Sequence, residues 1–318
     1  MRAATIVDGG RLEVRDHPDP EPGVGEVLVR VRAAGLNNAD LIQVRGAYPA
    51  PPGSPQDIPG LELAGEVAAV GRDAMRFAVG DRVMAVVGGG AQAELCVVHE
   101  RCAIPVPAGV AWEAAGGFPE AYTTAHDALF TQCGLAMGER VLVHGAAGGV
   151  GVAGVQLALA AGASVVATVR DPSRRDDVAA LGSHVDVCAP DDFAHRGPFD
   201  VVLELVGAPN MAANLDALAT GGRIVVIGVG GGAVADVNLL ALMGHRARIS
   251  GSTLRARPLE GKADAARAVE RSVLPLLADG RVRVPVQQTF TLDDVAAAYD
   301  AFAAGGKFGK LVVLPNSA

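Results

Sequence analysis

Residues 141–151, Val-Leu-Val-His-Gly-Ala-Ala-Gly-Gly-Val-Gly, constrain this chain more than any other stretch. Val141 to His144 reads as a short buried strand, and Gly151 to Ala161 as an apolar, alanine-rich helix, so the glycines between them form a tight strand-to-helix turn. Set against the pattern G-x-G-x-x-G, Gly148 and Gly151 stand at the last two glycines and Ala146 replaces the first. A glycine at 148 lets the backbone approach a pyrophosphate, and one at 151 lets the helix pack closely on its strand. Gly149 and Val150 open the helix, whose N-terminus offers unpaired N–H groups and a partial positive charge to an anion. The alternative is a tight turn with no ligand.

The setting decides between these readings. From about residue 120 the chain alternates strands and helices: near-continuous apolar strands at 141–144, 164–169, 201–206 and 223–227, and helices at 151–161, after Asp171-Pro172, and near 210–218. That grammar describes a parallel sheet covered on both faces. Residues before 120 follow another rule. Residues 26–32, Glu-Val-Leu-Val-Arg-Val-Arg, alternate apolar and charged side chains, and 65–70 and 82–87 are short runs cut by Gly, Pro and Asp, as in a compact barrel. Tyr48 to Gly60 is rich in proline and reads as a stiff loop. The tail predicts one long helix over 263–277, a strand, a helix over 292–303 and a closing strand from Lys310 to Leu314. A length of 318 residues suits two domains.

The end of the second strand of the alternating region bears on the ligand. An acidic residue there takes the ribose hydroxyls of NAD, but the expected slot falls near Val169. Arg170, Ser173 and Arg174 instead offer a guanidinium-rich nest for a 2′-phosphate, which favours NADPH. Asp171 is read as the cap of the following helix; turned toward the ribose it would favour NAD. Gly228, opening the run Gly-Val-Gly-Gly-Gly after a parallel strand, leaves room for a nicotinamide, or is part of a plain mobile loop. His144 reads as a strand residue rather than a base.

Composition removes other classes. Lys and Arg total 27 against 35 Asp and Glu, a net charge of −8 with no basic run, which argues against a nucleic-acid or anionic-membrane partner. The first residues reach Asp8-Gly9-Gly10 without a signal-peptide core, and no apolar run is long enough for a bilayer, so the expectation is a cytoplasmic protein. Cys96, Cys102, Cys133 and Cys188 form no CxxC pair and read as small buried hydrophobes.

Four further segments carry a resemblance: Ala34-Gly-Leu-Asn-Asn-Ala-Asp40, Pro59-Gly-Leu-Glu-Leu-Ala-Gly-Glu-Val67, Val79-Gly-Asp-Arg-Val83 and Pro119-Glu-Ala-Tyr-Thr-Thr-Ala125. With the glycine loop, they make the chain resemble the medium-chain dehydrogenase/reductase superfamily, above all its zinc-free, zeta-crystallin-like quinone oxidoreductases. Within that branch, residues 43–52 and 254–257 are most similar to the tumour-suppressor-inducible group. The resemblance implies an α/β chain with a GroES-like β-barrel substrate domain, residues 1–119 and 256–318, around a Rossmann NADPH domain, residues 120–255. It implies hydride transfer from NADPH to a quinone without metal, and a homodimer joined near residues 235–255. A reductase of enone or enal C=C bonds, and a non-catalytic NADPH-binding sensor, are the rival expectations.

The resemblance also sharpens the site. Where zinc alcohol dehydrogenases of the superfamily place catalytic ligands, this chain has Asn37, Leu61 and Glu120, and the lobe that binds structural zinc is missing. Leu61 has no ligand atom. Removing an alcohol's proton is helped by a metal; reducing an electron-poor quinone needs no such step. Asn37 and Tyr48 are expected to face nicotinamide and substrate, and Thr124 to lie near the carboxamide. Tyr48 either donates a proton or only stacks, and Asn37 either donates through its amide or caps a helix beginning at Ala39. Lys310, in Lys307-Phe-Gly-Lys310, either returns to the cofactor or merely opens the last strand.

Overall fold

The structure, a computed structural model, describes residues 1–316. The chain divides into two compact units, one made of Met1–Thr123 and the segment from Leu254 onward, the other of Thr124–Thr253.

The first unit opens with the antiparallel hairpin β1 (Arg2–Val7) and β2 (Arg11–Asp16). β3 (Glu26–Gly35) keeps the alternation read from its sequence: Val27, Val29 and Val31 are fully buried. α1 (Asn38–Val44) follows, then β4 (Glu62–Val70), β5 (Arg82–Val86), β6 (Leu95–His99) and β7 (Ala103–Pro105). β3 pairs antiparallel with both β4 and β6, β4 with β5, and β5 with β7. Their inward side chains, with Leu63, Val83, Ala85 and Val98 beside the β3 valines, form one apolar core. Residues 48–60 hold no helix or strand, as their prolines dictate. α2 (Trp112–Gly116) and α3 (Pro119–His126) come next, and the division between the units falls inside α3. α3 runs on into a π-helical stretch, Asp127–Gln132, for which the sequence carries no signal.

The second unit holds β8 (Arg140–Val143), α4 (Gly149–Ala160), β9 (Ser164–Thr168), a 3₁₀ turn (Pro172–Arg174), α5 (Arg175–Ala179) and β10 (Val185–Cys188). It continues with β11 (Phe199–Glu204), α6 (Met211–Asp216), β12 (Leu218–Val226), α7 (Leu239–His245) and β13 (Arg248–Gly251). All neighbouring strands run parallel, in the order β10-β9-β8-β11-β12-β13. That is third, second, first, fourth, fifth, sixth: the doubly wound sheet of dinucleotide-binding domains, with its switch point between β8 and β11. α4 is buried from Gly151 to Ala158, which is why its sequence is apolar all round.

The chain then returns to the first unit through α8 (Leu259–Ser272), α9 (Leu274–Ala278), β14 (Val286–Thr291), α10 (Val295–Ala304) and β15 (Lys310–Leu314). β15 pairs parallel with β14 and antiparallel with β3, so the tail extends the sheet begun by the first third of the chain. The single helix expected over 263–277 is two helices. Pro275 sits in the first turn of α9; lacking an N–H and crowding the preceding turn, it forces a new start. All four cysteines are free and buried, and burial pushes the Cys96 thiol up to about 12. Among the described residues, no helix is long and apolar enough to cross a membrane.

Candidate active site

The second unit contributes the loop between β8 and α4. Gly148 caps α4 in an extended conformation, and a side chain on Gly151 would collide with Gly145 O and lie 2.7 Å from Ala146 Cα. At Gly148 an added Cβ would meet only Gly145 O, at 3.5 Å. Gly151 is therefore demanded by packing, whereas Gly148 is demanded by nothing in the protein and leaves its face of the helix N-terminus clear for a phosphate. These residues, with Gly149 and Val150 in the first turn, fit the pyrophosphate of a pyridine dinucleotide.

At the end of β9, Val169 is buried and Arg170 exposed. The Asp171 carboxylate accepts from the Ser173 N–H at 3.0 Å and from the Ser173 hydroxyl at 2.8 Å, and these bonds hold its pKa below the usual range. Asp171 is thus a cap, and Ser173 Oγ is tied to it. Arg174 pairs with Asp177 at 3.3 Å. The loop from Gly228 is bonded rather than loose: Gly231 N–H donates to Val206 O at 2.8 Å and Ala208 N–H to Gly232 O at 2.9 Å. His144, one residue past β8, is fully buried; Nδ1 lies 3.0 Å from Thr168 Oγ1 and Nε2 2.7 Å from Asn214 Oδ1, and burial lowers its pKa. It belongs to an internal network.

The first unit contributes a buried polar cluster. Lys310 Nζ donates to Leu36 O at 2.8 Å, Asn37 Oδ1 at 2.8 Å and Glu62 Oε1 at 2.5 Å, which accounts for all three of its protons. Asn37 Nδ2 also donates to Glu62 Oε1, at 2.9 Å, and the Asn37 N–H donates to Asp40 Oδ2 at 2.8 Å at the start of α1. Glu62 Oε2 accepts the Glu120 N–H at 2.8 Å. Asn37 therefore precedes a helix starting at Asn38, one residue earlier than its sequence suggested, and its amide is held on both sides. Burial raises Asp40 to about 7 despite the bond from Asn37 and the charge of Lys310.

Tyr48 is held from behind. Arg255 donates to Tyr48 O at 3.0 Å, to Gly88 O at 2.8 Å and to Gln43 Oε1 at 2.5 Å, and its guanidinium carbon lies 4.9 Å from the Tyr48 ring centre. The Tyr48 hydroxyl has no partner among the described residues, and burial raises its pKa. Thr124, on α3, is buried with Oγ1 unpartnered.

Sequence reasoning missed Asp40, Glu62, Thr123 and Arg255 as members of the site. A signal was present for three of them. Asn37-x-x-Asp40 is a capping pattern, Glu62 is an acid flanked by Leu61 and Leu63 in an apolar strand, and Thr123 stands one turn after Glu120. Arg255 lies in residues 254–257, which carried part of the resemblance, but its contacts left no local signal, since its partners lie more than 160 residues away in sequence.

Residues 23–108 match the alcohol dehydrogenase GroES-like domain, and residues 174–313 match the zinc-binding dehydrogenase family. A quinone oxidoreductase of Pseudomonas aeruginosa is 35% identical over 96% of this chain and 95% of its own. The chain belongs to the quinone oxidoreductase type of the medium-chain dehydrogenase/reductases. Other members of this superfamily agree: the structure of the quinone oxidoreductase from Thermus thermophilus, described together with its NADPH complex, superposes with a TM-score of 0.86 at 34% identity, covering 99% of this chain and 100% of that one. An acryloyl-coenzyme A reductase from Metallosphaera sedula is 29% identical over 98% of this chain and 99% of its own. The chain is thus an oxidoreductase of the pyridine-nucleotide kind, with a GroES-like unit and a Rossmann unit. The zinc in the matched family's description does not fit these residues: Leu61 is a buried alkyl side chain, and the Asn37 amide oxygen already receives the Lys310 ammonium.

Proposed function

We propose that this quinone oxidoreductase-type chain reduces quinones or related electrophiles with NADPH and without metal. The observation that carries the cofactor choice is Asp171: the only acid at the end of β9 is turned into a helix cap, and Arg170 and Arg174 remain beside it. Bound NADPH supplies the hydride. Gly148 to Gly151 seat the pyrophosphate, Thr124 and the loop from Gly228 meet the nicotinamide end, and the Tyr48 hydroxyl hydrogen-bonds the acceptor. Lys310 and Asn37 act indirectly, because the ammonium is saturated by its three acceptors and fixes the Asn37 amide. The protein works in the cytoplasm as a homodimer.

Reduction of an activated C=C bond is the second reading, favoured by the full-length similarity to an acryloyl-coenzyme A reductase. Loss of nicotinamide absorbance with panels of quinones and enones distinguishes the two: faster turnover of quinones supports the first reading and faster turnover of enones the second. NADPH that binds tightly and is oxidised by neither panel would return the chain to a sensing role. Arg170→Ala with Arg174→Ala should raise KM for NADPH roughly 10- to 100-fold, the worth of charge-assisted bonds to a phosphate, and leave KM for NADH nearly unchanged. Equal effects on both cofactors would refute the assignment of these arginines.

A further inference from the structure

In a cluster where nearly every polar atom is paired, the carboxyl of Glu120 stands out because it makes no hydrogen bond within the described residues, and its buried Oε2 has no partner. It is not alone. Thr123 and Thr124, three and four residues further along α3, lie on the same helical face, are 3% and 9% exposed, and also have unpartnered hydroxyls. Three side chains with buried, unsatisfied polar atoms on one face of one helix cost free energy unless something else completes them. A bound ligand is the simplest partner for such a row.

The charges around Glu120 decide which proton state it presents. Glu62 on β4 accepts the Glu120 backbone N–H and places negative charge beside it; Asp40 on α1 adds to this, while Lys310 on β15 and Arg255 oppose it. Burial is the largest influence, and together they raise Glu120 to about 8, so that at neutral pH it is mostly an O–H donor with no acceptor. The other candidate, Tyr48, has its hydroxyl pushed above the ordinary phenol value of about 10. A phenol-like hydroquinone anion accepts a proton downhill from Glu120 but not from Tyr48.

We infer that Glu120 is the proton donor to the reduced acceptor, with Tyr48 orienting the acceptor and Thr123 completing the polar face of α3. This assignment rests on the reductase reading above. The acceptor gains two electrons as hydride from the dihydronicotinamide; its anionic oxygen, or the carbanion-like carbon of a reduced enone, then forms a bond to the Glu120 proton. The Glu120 O–H bond breaks, leaving a carboxylate that water reprotonates, so NADPH, one proton and the acceptor become NADP⁺ and the reduced product.

Glu120→Gln is the test, since it keeps the shape and a hydrogen-bond donor but has no acidic proton to transfer. In the wild-type protein kcat should fall as pH rises through about 8. Glu120→Gln should lose ~100-fold in kcat, lose that alkaline limb, and bind NADPH unchanged by fluorescence titration. The second readout needs no turnover: difference infrared spectroscopy at neutral pH should show a protonated-carboxyl band that vanishes in Glu120→Gln. A Glu120→Gln enzyme within about threefold of wild type, or the absence of that infrared band, overturns the assignment. If wild type fails to oxidise NADPH with every quinone and enone tried, the reductase reading fails and this role for Glu120 falls with it; the infrared band then reports only its proton state.

Discussion

Lys310 and Glu62 form an ion pair whose side chains are 4% and 0% exposed. Taking both charges out of water is costly, and the pair persists because each atom is also hydrogen-bonded, Lys310 to Leu36 and Asn37, Glu62 to Asn37 and Glu120. Breaking one side leaves the other charge stranded. Lys310→Met should therefore destabilise the protein by about 3–5 kcal/mol, while adding Glu62→Gln should recover most of that loss; denaturant unfolding of the two variants measures it. If the double variant is no more stable than the single one, the pair is not the source of the loss. At this scale the sequence was partly legible. Asn37, Tyr48 and Thr124 were identifiable because they stand in recognisable segments, but their interactions were not, and Glu120 was marked only as the residue in place of a zinc-ligand cysteine. Whether Asn37 offers its amide to a ligand depends on Lys310, 273 residues away, and no local pattern carries that information.

At the scale of elements, the β8–α4 turn separates two demands that a glycine motif usually merges. Packing demands a glycine at 151, whereas a Cβ added at 148 would meet only Gly145 O. Gly151→Ala should cost about 1–3 kcal/mol of stability by overpacking the turn. Gly148→Ala should leave the melting temperature nearly unchanged and weaken NADPH binding on the order of tenfold, about 1.4 kcal/mol. Calorimetric melting and NADPH titration of both variants check the contrast, and a Gly148→Ala protein that binds normally would show that no phosphate approaches there. Elements were the most legible level: the closing strand, β3 and the apolar strands of the parallel sheet fell where periodicity placed them. The failures have local causes. Pro275 divides a helix whose apolar spacing continues through it, and the π-helical stretch after α3 keeps an ordinary helical composition.

For the whole molecule, the six-stranded parallel sheet ends on β13, an edge strand whose outer side pairs with no other strand among the described residues. Nearby, α7 exposes Leu240 at 79% and Met243 at 71%, and Val234 is 90% exposed. The homodimer proposed above would bury this apolar margin. Leu240→Glu with Met243→Glu should shift the mass measured by light scattering from dimer to monomer while the far-ultraviolet circular dichroism stays the same. A wild-type monomer at micromolar concentration would refute the dimer. Sequence alone reached the two architectures because their periodicities differ, strand-helix alternation against short barrel strands. The order of the strands was out of reach, since it is set by pairing between residues far apart in the chain.

The Lys310 ammonium also has a consequence in time. A chain emerging from the ribosome presents Glu62 before its counter-charge, which follows only after the whole of Thr124–Thr253 has been made. The second unit is continuous and can mature as it appears. The first cannot neutralise its interior, or add β15 beside β3, until residue 310 arrives. Until then a chain carries the Glu62 carboxylate without the cation that pairs with it. Neutralising Glu62 thus waits on residue 310, however early its own strand is made.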